Sequence, residues 1–309
     1  MKIKSIIEVI KGDEPFMWSI CRKYPFLFSD RYYLKQMFRA YEGYTPSFEN
    51  PKSLNEKMQW LKLYNRQPIY TTMVDKIEAK DYISSIVGAQ YIIPTLGVWN
   101  NPDEIDFEKL PNQFVLKCNH NSHLGLIVCK DKATLDINKA KEELRAGLKQ
   151  NFFLWAREWP YKNVKRRILA EEYIENKKKT PLIDYKFYCY NGEPQYFMCS
   201  IGEADHHPIN HKFGMDLKSV DYLFKAKPAL SEKDVVIPDN IQEMIDVVKQ
   251  LCKGIPHIRV DLYNVDGRIY VGELTMFSNA GFYNIQSKEY SDYLASLIDI
   301  DAIKIQNGK

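Results

Sequence analysis

An α+β fold is what this 309-residue sequence predicts, and three features carry the prediction. Two stretches read as β-hairpins closed by glycine-containing turns: Asp184 to Tyr190 returning through Asn191-Gly192 as Gln195 to Ile201, and Ile258 to Tyr263 returning through Asp266-Gly267 as Ile269 to Thr275. Helices and strands are otherwise mixed without the strict alternation of a parallel sheet. Neither a G-x-x-x-x-G-K-[ST] loop nor a G-x-G-x-x-G turn occurs.

Residues 1–94 read as mostly helical. Aromatics recur at helical spacing through Tyr32-Tyr33-Leu34-Lys35-Gln36-Met37-Phe38. Ser53-Leu54-Asn55-Glu56 has the form of a capping box, opening a helix through Met58, Trp60, Leu61 and Leu63. A second amphipathic helix is expected from Asp75 to Ile86, ended near Gly88, and it carries Lys76. Tyr91 to Pro94, Phe114 to Cys118 and Leu126 to Cys129 read as short strands, the last two separated by a polar turn, Asn119 to Gly125, that includes His123. Asn138 to Gln150 reads as a helix and Ile168 to Ile174 as a buried strand. Asp239 to Lys253, capped by Asp239 or Asn240 and stopped at Gly254, and Tyr290 to Ile298 complete the helices. The aromatic run Phe152-Phe153-Leu154-Trp155 to Trp159 has the composition to stack a sugar, but such a run reads first as core.

Composition bounds the class. A 45% apolar and 13% aromatic content is enough for a buried core, and the length suits two or three subdomains sharing a cleft. A net charge of +3 is too small for a nucleic-acid footprint. The basic clusters Lys162 to Arg167 and Lys177 to Lys179 read first as solvated surface, second as attraction for an anionic substrate or a membrane face. Six cysteines without C-x-x-C spacing fit reduced thiols in the cytoplasm. Met1 to Ile10 lacks a sustained apolar stretch, so no signal peptide is expected, and no run is long enough to span a bilayer. Membrane contact is therefore expected to be peripheral. His206, His207 and His211 suggest zinc, but Pro208 breaks any helix that would align them.

The second hairpin carries the chemistry. Side chains alternate along a strand, so Arg259 and Asp261 share a face. Glu273 joins them only if the loop holds an odd number of residues. A three-residue loop Val265-Asp266-Gly267, with Gly267 left-handed, would do this. Two carboxylates and a guanidinium on one surface suit a magnesium-bound polyphosphate: the acids hold the cation and the arginine offsets phosphate charge. A charged hairpin face is otherwise simply the wet side of an antiparallel pair.

Six motifs in order now resemble the ATP-grasp superfamily, and within it the TupA-like branch found among polysaccharide and teichuronopeptide biosynthesis enzymes. They are Asp75 to Lys80, Phe114 to His120, Arg157 to Lys162, Ala170 to Ile174, Asp184 to Phe187, and Arg259 to Asp261 through Glu273 to Thr275. The resemblance implies an ATP-grasp-like α+β fold of antiparallel sheets, with a helical region at 1–94, a mobile lid at 95–170 and a core at 171–309. It implies that Lys117 and Lys76 contact phosphates, that Glu171 or Glu172 serves the adenosine at a hinge, and that Lys186 contacts nucleotide or phosphate. It implies Asp261 and Glu273 as magnesium ligands, with Thr275 where the wider superfamily has asparagine; Asn279 or water would complete the shell. The implied activity is an ATP-dependent carboxylate–amine ligase using an acyl phosphate, with ATP and magnesium as cofactors and Arg259 and Lys186 as catalytic cations. The substrate would be a carboxylate-bearing glycan or amino acid of cell-surface polysaccharide assembly. A glycosyltransferase of the same glycans, holding a nucleotide-sugar diphosphate through an Asp–Glu metal site, is the alternative.

Overall fold

The computed structural model describes residues 14–306 apart from 123, 202–208 and 226–234. The amino-terminal part is helical: α1 (Glu14–Lys23), α2 (Asp30–Glu42), α3 (Leu54–Tyr64), α4 (Ile69–Val74) and α5 (Glu78–Val87). Ser53 forms the full capping box, its hydroxyl accepting from the Glu56 N–H while Glu56 accepts from the Ser53 N–H at 3.0 Å. Helix α5 starts at Glu78, not Asp75. The Asp75 carboxylate accepts from the N–H groups of Ile77 and Glu78, so it stands ahead of the helix as a cap. Lys76 accordingly sits in the turn between α4 and α5, not on the helix expected for it.

The expected strand at Tyr91 to Pro94 is also displaced. Ala89–Tyr91 is a 3₁₀ turn, Ile92 makes one isolated bridge to Val271, and β1 (Thr95–Trp99) begins after the proline. Proline has no N–H for a ladder, which places it outside the paired segment. Strands β1, β2 (Phe114–Cys118), β3 (Ile127–Cys129) and β4 (Ile168–Glu172) form a four-stranded antiparallel sheet in the order β1-β4-β2-β3. Helix α6 (Ile137–Lys149) packs on it, and α7 (Phe152–Ala156) follows. Phe114, Leu116, Cys118, Ile168 and Ala170 meet Ala140 and Leu144 in a separate small core. Alternation then sends Lys117 and Glu171 to the opposite face.

The large sheet contains β5 (Ile183–Tyr190), β6 (Glu193–Ile201), β7 (Ile209–Gly214), β8 (His257–Val265) and β9 (Arg268–Thr275), ordered β7-β6-β5-β8-β9 and antiparallel throughout. Helix α8 (Ile241–Cys252) buries Met244, Val247, Val248 and Leu251 against Phe187, Phe197, Val260 and Leu262. Helices α9 (Lys288–Ser296) and α10 (Ile300–Gln306) close the described chain. One face of the large sheet is thus apolar and covered; the other carries Asp184, Lys186, Arg259, Asp261 and Glu273, with buried Tyr188, Tyr190 and Tyr196 beside them.

The β8–β9 hairpin departs from expectation in an instructive way. Its turn has two residues, Asp266 and Gly267, both with positive φ (52° and 89°), and Val265 pairs directly with Arg268. Such a turn alone would put Glu273 on the apolar face. The odd residue lies further along, at Gly272: Leu262 pairs with Val271 but Asp261 pairs with Glu273. This bulge restores the parity and turns Glu273 toward Asp261. A Cβ on Gly272 would lie 2.7 Å from the Tyr263 ring, so any other residue there would have to displace that ring.

Stretch 209–214, read for its histidine, is an edge strand. Buried His211 sits 2.7 Å from Asp221, and His206 and His207 lie outside the described residues. Among the described residues, no group of three or more His, Cys, Asp or Glu side chains is placed to hold a metal ion. All six cysteines are buried and unpaired in disulfides.

Candidate active site

Three neighbouring strands bring Lys186, Asp261 and Glu273 into one line, since Lys186 pairs with Asp261 and Asp261 with Glu273. The Lys186 ammonium contacts the Asp184 carboxylate and lies 3.5 Å from Asp261. Arg259 grips Asp261 with two N–H groups at 2.6 and 2.7 Å, and donates to Ser278 Oγ at 2.8 Å and Thr275 Oγ1 at 3.1 Å. Four of its five N–H donors are thereby spent on the protein. Its charge stays at the site, but little of its hydrogen-bonding capacity is left for a ligand. Thr275 donates onward to Glu273 Oε1 at 3.3 Å, so its hydroxyl links the arginine to the glutamate. Asn279, exposed in the turn after β9, hydrogen-bonds to neither carboxylate among the described residues.

Cations converge on this acid pair from the helical part and the small sheet. Lys76 lies 3.5 Å from Glu273 and donates to the Asn121 carbonyl at 2.9 Å. Burial works against the Glu273 charge, yet Lys76, Arg259, Lys186 and Lys117 hold its carboxyl down to about 2. Lys117 itself contacts Glu171, whose other oxygen is 2.7 Å from Lys80. Against burial, these two lysines keep the Glu171 carboxyl below its ordinary range. Glu171 is buried and doubly engaged, whereas Glu172 is exposed at the strand end. An enclosed cavity of about 20 Å³ lies between Lys76, Lys80 and Glu171 on one side and Gly272 and Glu273 on the other.

The polar turn after β2 is fastened by its own side chains. Asn119 donates to Asp75 at 2.8 Å and to the Lys165 carbonyl at 2.9 Å, His120 meets the Gln150 carbonyl at 3.1 Å, and Asn121 donates to the Gly147 carbonyl at 3.1 Å. Gly147 also lets the end of this turn pass close by, because a Cβ there would stand 2.9 Å from the Leu124 carbonyl. His123 lies outside the described residues.

Two residues at the site had no assigned role in the sequence reading. Lys62 is fully buried and donates only to neutral oxygens: Gln59 at 2.9 Å, the Ala156 carbonyl at 2.9 Å and the Ala280 carbonyl at 2.6 Å. Burial pushes its ammonium down to about 8, opposed by Glu158. Burial lifts Glu158 to about 7, with Lys62 and Arg259 acting against it and Glu273 adding to it. Asp184 is likewise raised to about 7 by burial and by Asp261, despite its lysine. Lys62 fastens the turn Ser278–Gly281, where Asn279 and Ala280 both adopt positive φ, to the turn that precedes Glu158. Glu158 stands within the Arg157 to Lys162 motif, but nothing in local spacing pointed to Lys62.

A family model described as TupA-like ATPgrasp matches residues 56–299. The chain belongs to the TupA-like ATP-grasp family. The match runs from within the capping-box helix α3 to beyond the bulged hairpin, so it takes in Lys62, Lys76, Lys117, Glu158, Glu171, Lys186, Arg259, Asp261 and Glu273. Among solved structures, D-alanine–D-alanine ligase from Bacillus anthracis complexed with ATP matches at 15% identity and a TM-score of 0.42, over 76% of this chain and 66% of that one. D-alanine–D-alanine ligase from Helicobacter pylori matches at 13% and 0.45, over 79% and 68%. D-cycloserine synthetase DcsG matches at 13% and 0.45, over 77% and 72%. The chain thus spans about two thirds of the length of the two D-alanine–D-alanine ligases. No curated protein matches. Among the described residues, no helix of this ATP-grasp chain is long and apolar enough to cross a membrane.

Proposed function

We propose that this ATP-grasp chain is an ATP-dependent carboxylate–amine ligase working through an acyl phosphate in the cytoplasm, and that its carboxylate belongs to a cell-surface polysaccharide or a precursor of one. One observation carries the reading: Asp261 and Glu273 face each other in register, with Lys76, Lys117 and Lys186 converging on them. Two carboxylates offer the hard oxygen donors that magnesium takes while it keeps several waters. Glu273 suits this best, because its side chain is 26% exposed and its charge is secured at neutral pH. Asp261 would act through oxygen lone pairs left after its two bonds from Arg259. Bound magnesium would neutralise charge on the phosphates of ATP.

ATP enters as a substrate. A carboxylate oxygen of the acceptor attacks the γ-phosphorus as the bond to the β-phosphate oxygen breaks, and ADP leaves. An amine then attacks the acyl carbon, giving an amide, phosphate and a proton. The chain's residues position and shield these events. Lys76 and Lys186 draw phosphate oxygens to the sheet, and Arg259 keeps Asp261 in one orientation. Residues 95–170 close as a lid, so that water does not consume the acyl phosphate.

The test is coupled ADP and phosphate release from magnesium-ATP, with uronic-acid-bearing acceptors and amino acids offered singly and together. A ligase turns over only with both, and hydroxylamine traps the activated acyl group as a hydroxamate. ADP release without an amine would make the chain a kinase. Thermal stabilisation by a UDP-sugar but not by ATP would make it a glycosyltransferase.

A further inference from the structure

We propose that the tip of the α1–α2 hairpin, together with Trp155, is a docking surface for a bilayer rich in anionic lipid. Between α1 and α2 the chain makes a short 3₁₀ turn, Pro25–Leu27, whose apolar side chains point away from the protein. Phe26 is 71% exposed, Leu27 66% and the preceding Tyr24 40%. Trp155, on the adjoining helix α7, is 54% exposed, although the aromatic run that holds it reads as core. An open groove of about 490 Å³ lined by Arg22, Pro25, Tyr33, Leu154 and Trp155 joins the two pieces into one patch. Large apolar side chains gathered at one convex point mark an interaction site.

The tip is held rigid from below. Buried Arg157 donates to the carbonyls of Pro25 and Phe28, and its guanidinium lies 4.2 Å from the Tyr33 ring centre. Tyr33 in turn donates to the Trp155 carbonyl at 2.7 Å. The turn is therefore fixed with its phenyl and leucyl groups outward, so little ordering is required on contact.

Charge selects the partner. Arg22, which lines the groove, and the adjacent Lys23 are exposed, Lys162 lies 5.3 Å from the Phe153 ring centre of α7, and no described acidic side chain pairs with any of them. Asp30 at the start of α2 is already engaged by Arg66 at 2.7 Å and Arg157 at 3.4 Å. Protruding Phe and Leu, Tyr and Trp at their flanks, and a surround of Lys and Arg match the layers of a bilayer: acyl boundary, headgroup level and anionic surface. The surface lies beside the site, because Arg157, which fixes the tip, directly precedes Glu158.

The test is co-sedimentation of the full chain with vesicles of phosphatidylcholine, alone or mixed equally with phosphatidylglycerol. We expect binding to the mixed vesicles that weakens with salt. Phe26→Ser with Leu27→Ser should reduce it by about tenfold or more. Each of Arg22→Glu and Lys23→Glu should reduce it by about fivefold or more and flatten the salt dependence. The urea denaturation midpoint serves as the folding control and should be nearly unchanged by these surface substitutions. Absence of vesicle binding by the unsubstituted chain, or equal binding by the Phe26/Leu27 variant, would overturn the proposal. So would a concentration-dependent dimer that the Phe26/Leu27 variant abolishes, which would make the patch a contact between copies.

Discussion

Glu273→Gln removes one carboxylate oxygen charge and little else, so its effect can be worked out from the site. The carboxyl titrates at about 2 instead of 4.5 because four cations favour its charged form more than burial opposes it. At about 1.4 kcal/mol per pKa step, that difference corresponds to roughly 3 kcal/mol of net interaction. The side chain is 26% exposed, and solvent screening brings the expected loss to about 2 kcal/mol at neutral pH. A depressed carboxyl stabilises the fold above its unfolded value, and that contribution disappears as pH falls from 4.5 toward 2. Urea denaturation should therefore show a gap between the two proteins at pH 7 that narrows steadily through pH 4 and 3. Thermal shift should show a second consequence. The variant keeps Lys76, Lys117 and Lys186, so ATP alone still stabilises it, while the added effect of magnesium is lost. A stability gap that ignores acidification would refute the electrostatic reasoning. An unchanged magnesium effect would refute the metal assignment.

Other expectations follow from single features. Gly272→Ala drives a Cβ into the Tyr263 ring at 2.7 Å and should cost about 1–3 kcal/mol and the magnesium effect on ATP binding, whereas deletion of Gly272 leaves Glu273 opposite Asp261 and should preserve that effect. Comparable ATP titrations of both variants would disprove the role given to the bulge. Lys62→Met strips the Ala156 and Ala280 carbonyls of their donor and Glu158 of its nearest cation, so a loss of about 3 kcal/mol is expected in urea denaturation, and a change under ~0.5 kcal/mol would argue against it. His257 is buried, sits 2.6 Å from the Tyr283 hydroxyl and is pushed down by burial from 6.5 to about 3. It stays neutral in the fold while the unfolded chain takes up a proton, so stability falls as pH drops from 6.5 toward 3. His257→Gln should flatten the stability profile in that window.

Local patterns were legible in the sequence where local physics decides them. The Ser53 capping box, the Asn191-Gly192 turn and the paired strands of both hairpins depend on residues a few positions apart and stand where expected, whereas the expected three-residue loop at Val265 to Gly267 is a two-residue turn. Lys186 and Asp184 on one strand face follow from alternation alone. Gly272 was harder, because a glycine within a strand can mark a bulge, a close approach or a weak strand, and a parity argument can be satisfied at either end of the ladder. The start of α5 was misplaced because Asp75 is a cap whose spacing also fits the helix. Lys62 is out of reach of the sequence: it lies far along the chain from Glu158, and only packing turns an ordinary helical lysine into a buried cation. Trp155 shows the reverse, an aromatic in an apolar run that the fold leaves outside.

The lysine pair around Glu171 has a consequence for ligand entry. Lys117 is not idle: it is already closed on Glu171, with Lys80 on the other oxygen. A phosphate that recruits Lys117 must win it from that carboxylate, so measured affinity reports an exchange between two anions. The same exchange leaves Glu171 with Lys80 alone. Occupancy of the cleft would thus be felt in α5, through Lys80.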